Sequence, residues 1–122
     1  MSLEDIEKKL DKLLDARIGK ASEWKHITIA KDATVSEALD LGGHYSYLQV
    51  IIPTIDSASL ELQGSESTSG TYQDIGQDVV TTAGTGAFQD TWNLGGWQYI
   101  KIKASAAQAT APRSFKVRGI TF

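Results

Sequence analysis

The 122-residue chain has no cysteine, only two histidines, and no apolar run near the ~20 residues a membrane helix needs. Each absence removes a class of function. Without cysteine there are no disulfide staples, thiolate metal sites or cysteine nucleophiles. The net charge of -3 argues against nucleic acid as a partner, because phosphate binding wants a basic surface. The opening stretch MSLEDIEKKL carries acids and lysines where a signal peptide needs an apolar core, so synthesis and folding in a host cytoplasm are expected. No membrane partner is expected.

Basic residues are also missing from most of the chain. Asp32 to Ile100 holds nine acids and no Lys or Arg, while Lys101 to Phe122 holds five bases and no acid. Solvated outward faces explain this simply. An acidic side and a basic side suited to docking explain it equally.

A length of 122 residues fits one domain with a modest core. Residues 2–18 read as a helix. Ser2 is a good N-cap, with Asp5 three residues on, and Gly19 is a natural stop. Glu4–Lys8 and Asp5–Lys9 are i,i+4 pairs. Leu3, Ile6, Leu10 and Leu13, with Leu14 and Ile18 alongside, form an apolar stripe of helical period. So short a helix is marginal alone, and each buried Leu or Ile adds roughly 1.5–3 kcal/mol. The stripe must pack on the chain's own body or on neighbouring copies as a short coiled coil. Residues 1–20 are therefore assigned to an amphipathic helix for oligomerisation or anchoring, and residues 21–122 to the body.

After residue 22 the period becomes alternating. Strands are expected at Trp24–Ala30, Thr34–Leu39, Tyr45–Ile52 (ended by Pro53), Ser59–Gln63, Thr71–Ile75, Asp78–Thr82, Trp97–Ala104 and Ser114–Phe122. Ala83–Gly96, with Gly84, Gly86, Gly95 and Gly96, reads mostly as loop. About eight short strands with frequent turn signals predict an all-β, antiparallel two-sheet β-sandwich, either jelly-roll-like or immunoglobulin-like.

No reaction centre is visible. His26 sits in a strand and His44 follows Gly-Gly, and no Gly-x-Ser-x-Gly elbow is present. Gly84-Thr-Gly86 lacks the third glycine and the strand-to-helix setting of a dinucleotide site. Asp56, Glu61, Asp74 and Asp78 read as scattered solvated acids, and no Asp-x-Asp-x-Asp-Gly run supports a calcium loop. No catalytic residues, metal or cofactor are expected, and the chain reads as a non-enzyme. Trp92, Trp97 and Tyr99 lie in a glycine-flanked stretch. Such rings either stack sugars from a sandwich loop or plug the end of the core. Together with Lys101, Lys103, Lys116 and Arg118 they mark a candidate ligand or partner surface.

The segments Val35-Ser-Glu-Ala-Leu-Asp-Leu-Gly-Gly43, Leu48-Gln-Val-Ile-Ile-Pro53, Leu60-Glu-Leu-Gln63, Gly70-Thr-Tyr-Gln-Asp74 and Gln98-Tyr-Ile-Lys-Ile102 resemble small β-sandwich proteins of tailed bacteriophages. In particular they look like capsid decoration (cement) and head accessory proteins. The order is also similar to galactose-binding-type jelly rolls. The resemblance spans about residues 33–122 and rests on strand and turn patterns. It implies a structural virion protein on the capsid surface, bound in many copies to the major capsid protein or another virion protein, commonly as a trimer. The alternative is a carbohydrate-binding module of a tail or fibre.

Overall fold

The computed structural model describes residue 6, residues 20–76 and residues 81–122. The helix expected over residues 2–18 and part of the strand expected at Asp78–Thr82 lie outside the described residues. The rest is all-β and antiparallel, as its alternation predicts. Eight strands run β1 (Lys20–Ala21), β2 (Lys25–Ile29), β3 (Leu39–Asp40), β4 (Tyr47–Ser65), β5 (Gln73–Asp74), β6 (Thr81–Asn93), β7 (Tyr99–Ala104) and β8 (Arg113–Thr121).

One strand organises the others. The first part of β4, Tyr47 to Ile51, lies between β8 and β6. Its second part, Leu60 to Ser65, pairs with β7, and with β5 at Gln63 and Gly64. β1 and β2 line up on β8, and β3 on β7. All eight strands therefore belong to one continuous hydrogen-bonded sheet that passes through β4.

The inward residues explain why the sheet curls. Leu48, Val50 and Ile52 are buried, then Ile55 and Ala58, then Leu60 and Leu62. Strict alternation holds at both ends of β4 and slips in the middle, where the register with β6 shifts between Thr54 and Ser59. Irregular pairing of this kind bends a strand and increases its twist. Both halves of β4 thus bury their apolar side chains in one core with Ile27, Ile29, Trp92, Leu94, Ile100, Ile102, Phe115 and Val117.

Three expectations change. Tyr45–Ile52 and Ser59–Gln63 are one strand, not two. Pro53 does not end it, because β8 pairs only as far as Ile51 and Pro53 has no ladder partner on that side. Ala83–Gly96 is mainly strand, not loop. The positive φ angles of Gly84, Gly86 and Ala87 lie opposite the β4 irregularity and let β6 follow it. Thr34–Leu39 shrinks to a single Val35–Lys103 bridge followed by β3.

The irregular segment is bolted from one side. Gln108 is fully buried. Its Oε1 accepts from Asp56 N (2.8 Å), and its Nε2 donates to the Asp56 and Ala106 carbonyls (both 3.2 Å). The Asp56 carboxylate accepts from the Thr110 amide (3.1 Å) and hydroxyl (2.8 Å), and meets Arg113 Nη2 at 3.3 Å. The Thr110 bonds, followed by the charge of Arg113, hold that carboxyl below the usual range.

Candidate functional site

The glycine-flanked aromatic stretch divides between core and surface. Trp92 is 2% exposed, sits in β6 opposite Leu48, and donates its indole N–H to Asp90 Oδ2 at 3.2 Å. It belongs to the core. Trp97 is 39% exposed, in the turn between β6 and β7. Leu94 and Gly95 donate backbone N–H groups to Ser46 O, and Gly96 to Tyr45 O, which ties that turn to the entrance of β4.

One side of the Trp97 ring lies against the backbone of Gly64. A Cβ at position 64 would sit 2.9 Å from Trp97 Cγ and 3.2 Å from Ile75 Cδ1. The ring therefore needs a glycine beneath it. Two open clefts adjoin the ring. One, of about 570 Å³, is lined by His44, Ser65, Glu66, Gln98 and Tyr99 among others. The second, of about 320 Å³, is lined by Ser67, Gly70, Thr71 and Gln73, and shares Ser65 and Glu66. His44 Nδ1 is 2.9 Å from Gly96 O. Nearby, Gln98 Nε2 donates to Asp40 Oδ1 (2.9 Å), as does Gly42 N (2.8 Å). These two bonds, the Gln98 bond first, hold the Asp40 carboxyl below its ordinary range. The result is a half-exposed indole among hydroxyl, amide and carboxylate groups. It can stack a flat apolar face and hydrogen-bond at its edges. Among the described residues, no hydrogen bond joins His44 to a hydroxyl of these clefts.

The cations of the candidate surface separate into two groups. On β7, Lys101 Nζ lies 4.4 Å from the Tyr72 ring centroid, and Lys103 Nζ lies 3.7 Å from Glu61 Oε2. On β8, Lys116 and Arg118 lie 5.8 Å and 4.6 Å from the Trp24 ring. Trp97 and Tyr99 thus share one cleft, while Lys116 and Arg118 belong to another face. Of the apolar stripe, Leu3, Leu10, Leu13, Leu14 and Ile18 lie outside the described residues, and Ile6 is exposed.

Trp24 is the residue that sequence reading passed over. Its signal was parity. Ile27 and Ile29 face the core, so Trp24, His26 and Thr28 fall on the opposite face of β2. Among the described residues no group of three or more His, Asp or Glu is placed to hold a metal ion.

No protein-family model matches the chain, and no curated relative does. Solved structures do. The chain is similar to chitosan-binding module 1 of a chitosanase/glucanase from Paenibacillus sp. IK-5, at 14% identity and a TM-score of 0.51, over 76% of this chain and 75% of that one. It is also similar to the SPBc2 prophage-derived protein YomS, at 14% identity and a TM-score of 0.48, over 84% and 96%. A chain of the cyanophage Pam1 capsid asymmetric unit matches at 14% identity and a TM-score of 0.38, over 84% of each chain. At such identity the likeness to the chitosan-binding module is one of fold alone, that of an antiparallel β-domain.

Proposed function

We propose that this chain is a structural virion protein of a tailed phage, of the capsid decoration (cement) kind, which works by surface contact and not by catalysis. The segments that resemble such proteins fall largely on the strands around the core: β3, both halves of β4, β5 and the start of β7. The carrying observation is an apolar edge beside β1. Tyr47 and Phe122 are exposed there, Phe122 at 86%, with ring centroids 5.8 Å apart. β1 pairs with β8 at this edge, through Lys20–Thr121 and Ala21–Ile120. In the sequence, the stripe of Leu3, Ile6, Leu10, Leu13, Leu14 and Ile18 ends two residues before Lys20, the first residue of β1. An exposed aromatic pair of this kind suits docking to other copies or to the major capsid protein. Leu10→Asp places a charge in the stripe. It is expected to lower the sedimenting mass of the protein or its occupancy on capsids. A variant unchanged in both measurements overturns the reading.

A second reading, a carbohydrate-binding module of a tail or fibre, is favoured by the Trp97 platform. The chitosan-binding module shares the fold, and the indole backed by Gly64 offers a stacking surface among polar groups. An aromatic stack is worth about 1–3 kcal/mol by analogy with nucleobase stacking. Trp97→Ala should therefore weaken glycan binding on an array by about tenfold or more. An array on which the native protein binds no glycan removes this reading and leaves the first intact.

A further inference from the structure

We propose a second binding site, independent of both readings above: a groove on the outer face of β8, β4 and β6 in which Arg118, stacked on Trp24, receives the carboxylate of an acidic saccharide. The β2–β8 register pairs Lys25 with Val117, which brings Trp24 opposite Arg118. The guanidinium carbon lies 4.6 Å from the Trp24 ring centroid, and that ring is 37% exposed. Arg118 Nε donates to Gln49 Oε1 at 2.5 Å across the β4–β8 pair. The guanidinium is thus held over the Trp24 ring and by an amide at its Nε. Among the described residues its terminal nitrogens have no hydrogen-bond acceptor, and no carboxylate lies within ion-pair distance of it or of Lys116. An arginine held in this way has little freedom left to lose on binding. Its remaining fork matches the two oxygens of a carboxylate.

The groove beside it suits a sugar. It has a volume of about 360 Å³, with Ile51, Gln49, Gln89 and Thr91 in its lining. That falls within the range of small-molecule sites, about 300–1,000 Å³. The amides and hydroxyl can bond ring hydroxyls, while Trp24 and Ile51 offer apolar contact. Asp90 also lines the groove. Its oxygens accept from Thr91 N (2.8 Å) and from the Trp92 indole (3.2 Å) within its own strand. That side chain shares a face with Trp92 rather than with Gln89 and Thr91, so the charge offered to the groove is the Arg118 fork, which matches a sugar carboxylate set among ring hydroxyls.

The test is calorimetric titration of the full chain with an oligogalacturonate, with its neutral methyl ester and with inorganic phosphate. The oligogalacturonate is expected to bind and the ester to bind at least tenfold more weakly. Arg118→Gln and Trp24→Ala should each cost tenfold or more, with melting curves showing that the variants fold. Arg118→Lys keeps the charge but not the fork, and should recover only part of the loss. Trp97→Ala should leave oligogalacturonate binding unchanged, which separates this groove from the clefts beside Trp97. Three results overturn the proposal: no oligogalacturonate binding, equal binding of the ester, or indifference to both Arg118→Gln and Trp24→Ala. Arg118-dependent binding of phosphate alone, or an Arg118-dependent dimer in sedimentation, assigns the fork to another partner and overturns it as well.

Discussion

Gly86→Ala should lower the melting temperature by at least about 8 °C, while Gly84→Ala, two residues away, should cost less than half as much. Both glycines have positive φ, 57° at Gly84 and 77° at Gly86. A side chain in that region costs roughly 1–2 kcal/mol at either position. They differ in their neighbours. Nothing lies within 4 Å of a Cβ built at Gly84, whereas one at Gly86 would overlap the carbonyl oxygen of Pro53. That oxygen is backbone of β4 and cannot swing aside like a side-chain tip. Overpacking of this kind adds about 1–3 kcal/mol. The sum of about 2–5 kcal/mol is a large share of a domain stability of ~5–15 kcal/mol. Thermal unfolding of the two variants side by side checks the claim. Equal shifts would mean that β6 can move away from Pro53 without loss.

Gln108→Leu should destabilise the protein by about 2–4 kcal/mol although it conserves volume and adds apolar surface. The side chain is fully buried, so greater hydrophobicity alone predicts a gain. The hydrogen bonds predict the reverse. The substitution leaves the Asp56 N–H and the Asp56 and Ala106 carbonyls without their side-chain partner. Each buried polar group stripped of its partner costs about 1–3 kcal/mol. Urea unfolding midpoints measure the difference. A variant as stable as the native protein would show that water reaches these groups in place of the amide.

Gly86 lies in a segment whose strand the sequence pattern does not show, whereas other strands follow from pattern alone. Alternation alone places β2, β7 and β8, because Ile27/Ile29, Ile100/Ile102 and Phe115/Val117 face the core while their neighbours do not. The middle of β4 was not legible. Inward residues there fall at Ile52, Ile55 and Ala58, three apart, and a period-two pattern reads the slip as a break. The glycines of β6 misled for a related reason. They are usual in loops, and here they fit a strand to a bent partner. At the candidate sites, the alternation around Ile27 and Ile29 was enough to put Trp24 on an outer face. Its approach to Arg118 was not readable, because it depends on pairing residues 25 and 117, which local pattern cannot see. The separate fates of Trp92 and Trp97 were hidden for the same reason. Trp92 is buried because β6 is a strand opposite Leu48, where a loop had been expected.

The pairing of β2 with β8 has a consequence for how the protein is made. Ile27 pairs with Phe115, so β2 meets its ladder partner only after β3 to β7 have been made. Until then its isoleucines and its backbone edge have no such cover, and closing so long a loop is slow. A ribosome that stalls after β7 would leave a sticky, half-zipped intermediate rather than a smaller stable domain, a state open to capture by chaperones or by other nascent chains.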